Sequence, residues 1–420
     1  MKYVLVVVFL FSLNLFGQNI DVALDTLTTL DDNEFHLELL SDKPKEKLIL
    51  PEIKSDNLKY FTLFYSWKTS KAPEIAILVD EKKDSDILYV DKNDDKDLTN
   101  DGQPIVFPHS QNQQIIEINA EQDPKQIVRL IIYRVPLIDS VMKQNDFDSN
   151  GNLVPEFAKC WGAIKGDFDY KGEKGSFYCD DRVTLRRGKI NVEGVTYSIG
   201  LFDFSNNGLY NDDDDLLIVD LNNDGKLKSI DPAEIYELND IINIGNTNYE
   251  LTYVDKYGMK ISLAKTTKAL TNYFLHSNTG ADSTSGKNNI LNELFWKSTY
   301  TTLDGKTIEM KDLKGKYILL NVWGEWCSGC KAEIPELKKG YEKWKDKVVF
   351  LSFLNTANTD NAKNLILKEK IEWPQIVMDK ETLKRFHIRA YPSNILIYPD
   401  GKTYLNTGVI HKDFLNLNIK

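Results

Sequence analysis

Two cysteines separated by two residues, Cys327 and Cys330, have the spacing in this sequence that most directly suggests chemistry. At that spacing one sulfur can attack a disulfide and the other can then displace it, so the pair can cycle between dithiol and disulfide. Only the thiolate attacks, and an unperturbed thiol, with a pKa of ~8.5, is mostly protonated at neutral pH. Such a site therefore needs surroundings that favour the thiolate.

The elements predicted around the two cysteines supply such surroundings. The apolar run Tyr317–Trp323 predicts a buried strand, and apolar residues at helical spacing over 334–341 predict an amphipathic helix after the pair. Cys327 would then lie at the N-terminus of the helix, where free N–H groups and the positive end of the helix dipole favour a thiolate. Cys330 would lie one turn further along, close enough to close a disulfide with Cys327.

The motif has two alternative interpretations without redox chemistry: half of a zinc site, and a purely structural disulfide. Zinc is disfavoured because no second Cys-x-x-Cys and no pair of histidines at ligand spacing follows. The other two cysteines, Cys160 and Cys179, are far upstream. The strand and the helix that flank the motif favour a redox-active pair.

The sequence WGEWCSGC, directly after the apolar run, resembles the thioredoxin superfamily, and in particular the secreted thiol-disulfide oxidoreductases of the TlpA/ResA type. The resemblance covers about the last 130 residues and implies an α/β thioredoxin fold over 290–420. It implies that Cys327 is the nucleophile and Cys330 the resolving cysteine. It also implies a cis bond at Pro392, which would place the preceding backbone against a bound partner, and Trp326 packed beside the reactive sulfur.

The sequence departs from that family in two places that bear on the chemistry. Ser328 and Gly329 separate the cysteines and carry no charge, which favours a moderately reducing pair over a strong oxidant. Asn321 stands on the strand where many thioredoxins have a buried acid, and an asparagine cannot accept the proton of Cys330. Glu325 is the nearest carboxylate in the sequence and is the predicted candidate for that proton transfer, with a solvated turn residue as the alternative.

The N-terminus predicts export. Lys2 and the mostly apolar run up to Phe16 are typical of a secretory signal peptide, here assigned to residues 1–18. No later segment approaches the ~18 consecutive apolar residues of a membrane helix. We therefore expect a periplasmic or cell-envelope protein that is soluble after cleavage. The net charge of −11 argues against nucleic acid as a partner.

Residues 19–276 predict a mainly antiparallel β domain, or two such domains, whose fold the sequence does not identify. Short strand-like runs recur there between clusters of Gly, Asn and Asp. They are 58–67, 74–79, 87–90, 114–118, 127–133, 189–192, 196–201, 248–254 and 260–264. The small, polar segment 277–289 predicts a flexible linker to the C-terminal domain.

Asp-rich loops in this β region resemble the calcium loops of EF-hand and dockerin proteins, in which alternate residues of a tight turn supply oxygen ligands. The candidate ligands, loop by loop, are Asp220, Asn222, Asp224 and Asp231; Asp203, Asn207 and Asp214; and Asp91, Asn93 and Asp95. In the third loop Lys96 replaces the usual glycine, and a fourth, weaker candidate begins at Asp146. Such stretches can also be plain turns. We expect structural calcium and no organic cofactor.

The predicted function is that of a thiol-disulfide oxidoreductase that reduces protein disulfides and is recharged by a membrane-bound electron donor, with the β domain selecting the partner. The alternatives are an oxidant or isomerase using the same site, or a calcium-stabilised binding protein whose thioredoxin domain docks partners. Cys160 and Cys179 enclose 18 residues and predict a disulfide in an oxidising compartment, two buried free thiols, or an internal redox partner. His387 is expected to be a partly exposed structural residue.

Overall fold

The computed structural model describes most of the chain between residues 19 and 407. The described ranges are 19–31, 36–64, 66, 74–111, 113–119, 123, 125–133, 165–170, 173–229, 231–276, 289–388 and 391–407. The predicted signal peptide, Cys160 and the candidate loop at Asp146 lie outside the described residues.

The chain before residue 266 is built from strands. They are β1 (Ile20–Ala23), β2 (Thr26–Thr28), β3 (His36–Leu39), β4 (Leu58–Phe64), β5 (Glu74–Glu81), β6 (Ser85–Val90), β7 (Ile105–Pro108), β8 (Gln113–Asn119), β9 (Ile127–Tyr133), β10 (Lys165–Tyr170), β11 (Glu173–Arg182), β12 (Leu185–Val192), β13 (Val195–Phe202), β14 (Leu216–Val219), β15 (Ile235–Glu237), β16 (Ile241–Ile244), β17 (Thr247–Val254) and β18 (Lys260–Lys265). Each of the nine strand-like runs in the sequence falls on one of these strands, so the β-rich prediction is confirmed.

These strands form two packed pairs of antiparallel sheets in the described part of the chain. The first pair is β4-β5-β6-β7 against β10-β11-β9-β8, with β3 beside β11; its core includes Leu63, Ile77 and Leu130. The second pair is β15-β14-β13-β12-β2 against β1-β18-β17-β16. In β6 and β8 buried and more exposed residues alternate, as the period of two in the sequence requires, whereas β14 is buried throughout. The described part of the N-terminal region therefore has a core between the sheets of each pair.

The C-terminal region mixes strands and helices. Its elements are β19 (Phe274–His276), β20 (Asn289–Leu291), α1 (Glu293–Trp296), β21 (Thr299–Thr301), β22 (Thr307–Glu309), a 3-10 helix (Met310–Leu313), β23 (Tyr317–Trp323), α2 (Ser328–Trp344), β24 (Val348–Leu354), α3 (Thr359–Glu369), β25 (Gln375–Val377), α4 (Lys380–Phe386), β26 (Ser393–Ile397) and β27 (Lys402–Thr407). The predicted strand over 317–323 has the observed bounds of β23.

The sheet of this region has the order β19-β20-β27-β26-β23-β24-β25, with β23 parallel to β24 and antiparallel to β26. One face packs on α2 through Leu319 and Leu337. The other face packs on α1 and α4, where Phe295 and Phe386 are fully buried. Because both faces are covered, β23 is a continuous apolar run rather than an alternating one. This is a thioredoxin-like arrangement, as predicted.

The predicted linker over 277–289 lies outside the described residues except for Asn289, the first residue of β20, so it remains a prediction. β19 pairs with β20, and Tyr273 and Phe274 lie in the C-terminal core, so the C-terminal sheet begins before that segment.

The two regions meet at a buried contact close to the loop that leads to Pro392. His387 Nε2 lies 2.9 Å from Asp240 Oδ2, and the two side chains are 3% and 10% exposed. Burial raises the pKa of Asp240, but the hydrogen bond and charge of His387 outweigh burial and bring it below its ordinary value of 3.8. His387 is thus buried, which corrects the expectation of a partly exposed residue. The contact holds α4 against the β region.

We expect Asp240→Asn to lower the free energy of unfolding by about 3 kcal/mol at neutral pH, because it removes one partner of a buried pair. Asp240 has a lower pKa in the folded protein than its ordinary value of 3.8, so the ionised carboxylate stabilises the folded state fully above that value. This stabilisation is lost as the pH falls below 3.8 and through the pKa of the folded state. Urea unfolding of wild type and variant should therefore differ at pH 7, and the difference should shrink as the pH falls below 3.8. Asp25→Asn, at an exposed aspartate, is the control. Equal stability of wild type and Asp240→Asn at pH 7 would contradict the argument.

Candidate active site

The two cysteines lie where β23 turns into α2. Cys327 caps the helix with extended backbone, and its Sγ accepts the N–H of Cys330 at 3.0 Å. The two residues are disulfide-bonded, with their Cα atoms 5.2 Å apart. The exposed fraction is 7% for Cys327 and 1% for Cys330, so Cys327 is the more accessible sulfur. An N–H donated to sulfur at a helix N-terminus stabilises a thiolate there.

The turn before the cysteines requires a glycine. A Cβ on Gly324 would lie 2.5 Å from Trp326 Nε1 and 2.9 Å from the carbonyl oxygen of Asn355. Trp326 donates its indole N–H to that same carbonyl at 3.0 Å. Any larger residue at position 324 would therefore displace the tryptophan from the turn.

An aromatic pair borders the cysteines. The ring of Trp326 packs edge-on against Tyr391 at 5.2 Å, while Trp326 remains 56% exposed. The bond between Tyr391 and Pro392 is cis, as expected from the sequence. The tryptophan that shares an apolar cluster with both cysteines is Trp323, whereas the sequence pointed to Trp326 for that place. Trp326 therefore contributes to the rim of the site.

A buried polar network surrounds Glu333, which lies one helical turn after Cys330. Glu333, on α2, is fully buried and accepts N–H groups from Asn321 at 3.2 Å and from Asn394 at 2.5 Å. Ser352 donates to Asn321 Oδ1, and Trp373 donates to Ser352 Oγ. Asn321 stands where many thioredoxins carry an acid. It donates a hydrogen bond to Glu333, an acid supplied by α2.

Sequence reasoning missed Glu333. It lies three residues after Cys330, and residues three apart share one face of a helix. Ile334 and Leu337 on the same helix are buried, so the helical period could have placed Glu333 on the buried face. Glu325, the acid that the sequence favoured, is half-buried, and its Oε2 has no hydrogen-bond partner in the described part of the chain. Its role remains a prediction.

The loop over 220–234, called the Asp220 loop, has the predicted tight turn. Asp220 accepts the N–H groups of Asp224 and Gly225 at 3.0 Å each, and Asn222 Oδ1 accepts the N–H of Asp224. Gly225 has φ of +80°, which glycine adopts without strain. Asp231, expected as the closing ligand, instead accepts the N–H of Ala233 and a side-chain N–H of Asn289.

The loop over 203–215, called the Asp203 loop, repeats this turn. Asp203 accepts the N–H groups of Asn207 and Gly208 at 3.2 and 2.8 Å. Asp215, next to the predicted Asp214, accepts a loop N–H, that of Phe204, at 3.1 Å. Burial raises the pKa of Asp203 to about 7, and burial together with the charge of Asp203 raises the pKa of Asp215 to about 9. Asp214 is half-buried.

The loop over 91–102, called the Asp91 loop, has the same turn without a glycine. Asp91 accepts the N–H groups of Asp95 and Lys96 at 3.1 Å each, and Lys96 takes a φ of +65° in the place of the glycine. Asn93 Oδ1 accepts the N–H of Asp95 at 3.1 Å. Asp101 accepts the N–H of Lys92 at 2.8 Å.

The three loops share one feature that the sequence did not reveal. In each, a later acid reaches back to a backbone N–H of the turn: Glu234 to Asn222, Asp215 to Phe204 and Asp101 to Lys92. As the side chains stand, the described residues contain no group of three or more His, Cys, Asp or Glu that could hold a metal ion. Calcium in these loops remains a prediction.

Residues 293–404 match the AhpC/TSA family. The thiol-disulfide oxidoreductase ResA of Bacillus thuringiensis subsp. konkukian is 40% identical over 105 residues, which cover 24% of this chain and 60% of that protein. ResA of Bacillus subtilis is 32% identical over 122 residues, covering 27% of this chain and 68% of that protein. This chain therefore spans about three fifths of the length of the first of these relatives.

Among solved structures, the thioredoxin domain of a thiol-disulfide oxidoreductase from Bacteroides vulgatus is 29% identical, with a TM-score of 0.26. That alignment covers 28% of this chain and 86% of the solved domain. Within the described ranges, no helix has both the length and the apolar character needed to cross a membrane.

Proposed function

This chain belongs to the ResA family of thiol-disulfide oxidoreductases, and on that premise we propose that it reduces disulfide bonds of partner proteins outside the cytoplasm. The observation that carries the proposal is the position of the Cys327–Cys330 pair at the N-terminus of α2, with the buried Glu333 three residues after Cys330 on the same helix. The surroundings favour a thiolate on the accessible sulfur and offer a proton acceptor near the buried one.

The reaction begins from the reduced pair. The thiolate of Cys327 attacks one sulfur of the partner's disulfide, and the other partner sulfur leaves as a thiolate that takes up a proton. The thiolate of Cys330 then attacks the Sγ of Cys327 and breaks the bond to the partner. The partner gains two electrons and leaves as a dithiol, while Cys327 and Cys330 become a disulfide. The greater exposure of Cys327 supports this order of attack.

The second step requires that Cys330 lose its proton inside the protein. Glu333 lies one helical turn after Cys330, and its two oxygens are held by N–H groups from Asn321 and Asn394. A carboxylate fixed on that side of the helix can accept the proton without exposing the site to water. We therefore assign the proton transfer to Glu333 ahead of Glu325.

The rim of the site offers a surface to a partner chain. Trp326 is more than half exposed and rests on Tyr391, whose hydroxyl accepts an N–H from Asn355 at 2.9 Å. A large exposed aromatic surface beside a reactive sulfur suits an extended, partly apolar protein segment. In this proposal Trp326 and the backbone before Pro392 hold the partner while the sulfurs exchange.

The proposal also includes the direction of electron flow and the cellular location of the protein. The uncharged Ser328 and Gly329 support a moderately reducing pair, which a membrane-bound donor would have to recharge. The apolar N-terminus over 1–18 supports export to the periplasm or cell envelope. The two β cores of the N-terminal region are then available to select the partner.

The reduction potential of the Cys327–Cys330 couple tests the direction. Equilibration of the full chain with a dithiothreitol or glutathione series, followed by thiol alkylation and mass measurement, gives this value. We expect about −250 mV or below, close to thioredoxin. A potential near about −120 mV, in the range of a strong oxidant, would instead make the protein a disulfide donor or isomerase. A Cys327→Ser, Cys330→Ser double variant is the control, since it leaves only signals from other thiols.

A further inference from the structure

One carboxylate of the Asp220 loop has an oxygen that nothing in the described structure satisfies. Glu234 is fully buried. Its Oε1 accepts the N–H of Asn222 at 3.0 Å, but its Oε2 has no hydrogen-bond partner among the described residues. An unpaired oxygen held away from water is costly, so such an atom in a native structure calls for a partner.

The surroundings of Glu234 indicate what kind of partner is missing. Glu234 accepts the N–H of Asn222, and its own N–H binds the carbonyl oxygen of Asp231. Asp220 and Asn222 both accept the N–H of Asp224, so Asp220, Asp224 and Asp231 belong to the same tight loop as Glu234. Lys228 pairs with Asp224, with its Nζ 2.6 Å from Asp224 Oδ2. One lysine does not balance the negative charge of these aspartates. The cluster therefore favours a further cation with strong affinity for oxygen.

We propose that the Asp220 loop binds one calcium ion, with Glu234 as the acid that closes the site in place of the predicted Asp231. The other ligands would be the side chains of Asp220, Asn222 and Asp224 and the backbone carbonyl of Lys226. These are positions one, three, five and seven of a calcium loop, and Ca²⁺ takes about six to eight oxygens. Water completes the shell.

The loop is already shaped for the ion, and one side chain must move. Asp220 is held by the N–H groups of Asp224 and Gly225, which fixes the turn. Because no three acids converge in the described structure as the side chains stand, binding requires Asp224 to exchange Lys228 for calcium. Lys228 is therefore a competitor of the ion.

The Asp203 loop lacks the observation that supports this site, because both oxygens of Asp203 and both oxygens of Asp215 accept hydrogen bonds. In the Asp91 loop, Asp101 Oδ2 also has no hydrogen-bond partner among the described residues, but the Asp101 residue is only half-buried, whereas Glu234 is fully buried. The proposal is therefore confined to the Asp220 loop.

An ion at this place would brace the contact between the two regions of the chain. Asp231 Oδ1 accepts a side-chain N–H of Asn289 at 2.6 Å, and Asn289 lies on the sheet that carries the active site. Ala233, next to Glu234, is part of the C-terminal core. Calcium would tie the turn at Asp220 to this short segment and so hold the β region against the thioredoxin sheet.

The test is calcium titration of the full chain, freed of metal with EDTA and followed by calorimetry. We expect wild type to bind calcium, and Glu234→Gln to lose one equivalent or to bind that equivalent at least ~100-fold more weakly. Asp101→Asn, which changes the corresponding acid of the Asp91 loop, is the matched control and should keep that equivalent. Wild type that binds no calcium, or Glu234→Gln that binds as wild type does, overturns the proposal.

A second variant decides the matter if Glu234→Gln does not fold. Lys228→Gln removes the competing cation, so we expect calcium to bind about tenfold more tightly at low salt. If Lys228 is instead the native partner of the acids, the same variant gains no affinity for calcium. That outcome overturns the proposal and leaves Glu234 as a buried, protonated acid.

Discussion

We expect Cys327→Ser to abolish reduction of a partner disulfide, with a loss of about 10³-fold or more in rate. A serine hydroxyl does not ionise near neutral pH, so the helix N-terminus has no thiolate to stabilise. Cys330→Ser should behave differently, because Cys327 can still attack but nothing displaces the partner. This variant should therefore accumulate a mixed disulfide.

The two variants are distinguished in a single-turnover reaction with a disulfide-bonded peptide, quenched by acid and read by intact mass. Wild type should end as free dithiol peptide, Cys330→Ser as a covalent adduct, and Cys327→Ser as unreacted peptide. Cys160→Ser is the control, and it also tests whether the upstream cysteines exchange electrons with the site. An adduct on Cys330 in the Cys327→Ser variant would reverse the assignment of attacking and resolving sulfur.

We expect Glu333→Gln to slow release of the partner by about 100-fold near neutral pH, because proton transfer by a placed group typically contributes 10²–10⁴-fold. The loss should fall on the second step, and the rate of that step should rise steeply with pH as Cys330 ionises without help. The first attack by Cys327 should change little. Stopped-flow measurement of adduct formation and decay across pH separates the two steps.

The same substitution should also cost stability, and this must be measured beside the rates. Asn321 and Asn394 both donate to the Glu333 carboxylate, so a glutamine would set its own N–H₂ against one of them. A buried mismatch of this kind costs about 1–3 kcal/mol, which urea unfolding would detect. Glu336→Gln is the control on the same helix, since Glu336 pairs with Lys339 at the surface.

Glu325→Gln completes the comparison. If Glu325 is the proton acceptor that the sequence favoured, its variant carries the loss in the second step, and Glu333→Gln shows only the loss of stability. If neither variant alters the pH dependence of the second step, water accepts the proton and both assignments are wrong. The two acids differ in burial, which is why only the structure distinguishes them.

Local patterns accounted for the elements of the C-terminal domain. β23 and α2 lie where the apolar run and the helical period predicted them. The cis bond falls at Pro392, as the family resemblance implied. The β-rich character of the N-terminal region was predicted equally well, since alternating runs between turn residues are local signals.

Contacts between distant segments could not be predicted in this way. Glu333 becomes part of the site because Asn321 and Asn394, from two neighbouring strands, converge on it. His387 is buried because Asp240, far away in the chain, lies opposite it. We propose Glu234 rather than Asp231 as the closing acid of the Asp220 loop because the side chain of Asp231 accepts the N–H groups of Ala233 and Asn289.

The sequence by itself determined the reacting sulfurs, the strand and helix that present them, and the β-rich character of the N-terminal region. These depend on residue type and short-range periodicity, which a chain carries wherever it folds. The tertiary structure alone decided that Glu333 is buried one helical turn after Cys330, that Glu234 contacts the turn of the Asp220 loop, and how the two regions meet. Those outcomes depend on which side chains from distant segments are buried together. Burial restricts their hydrogen-bond partners and shifts their pKa values.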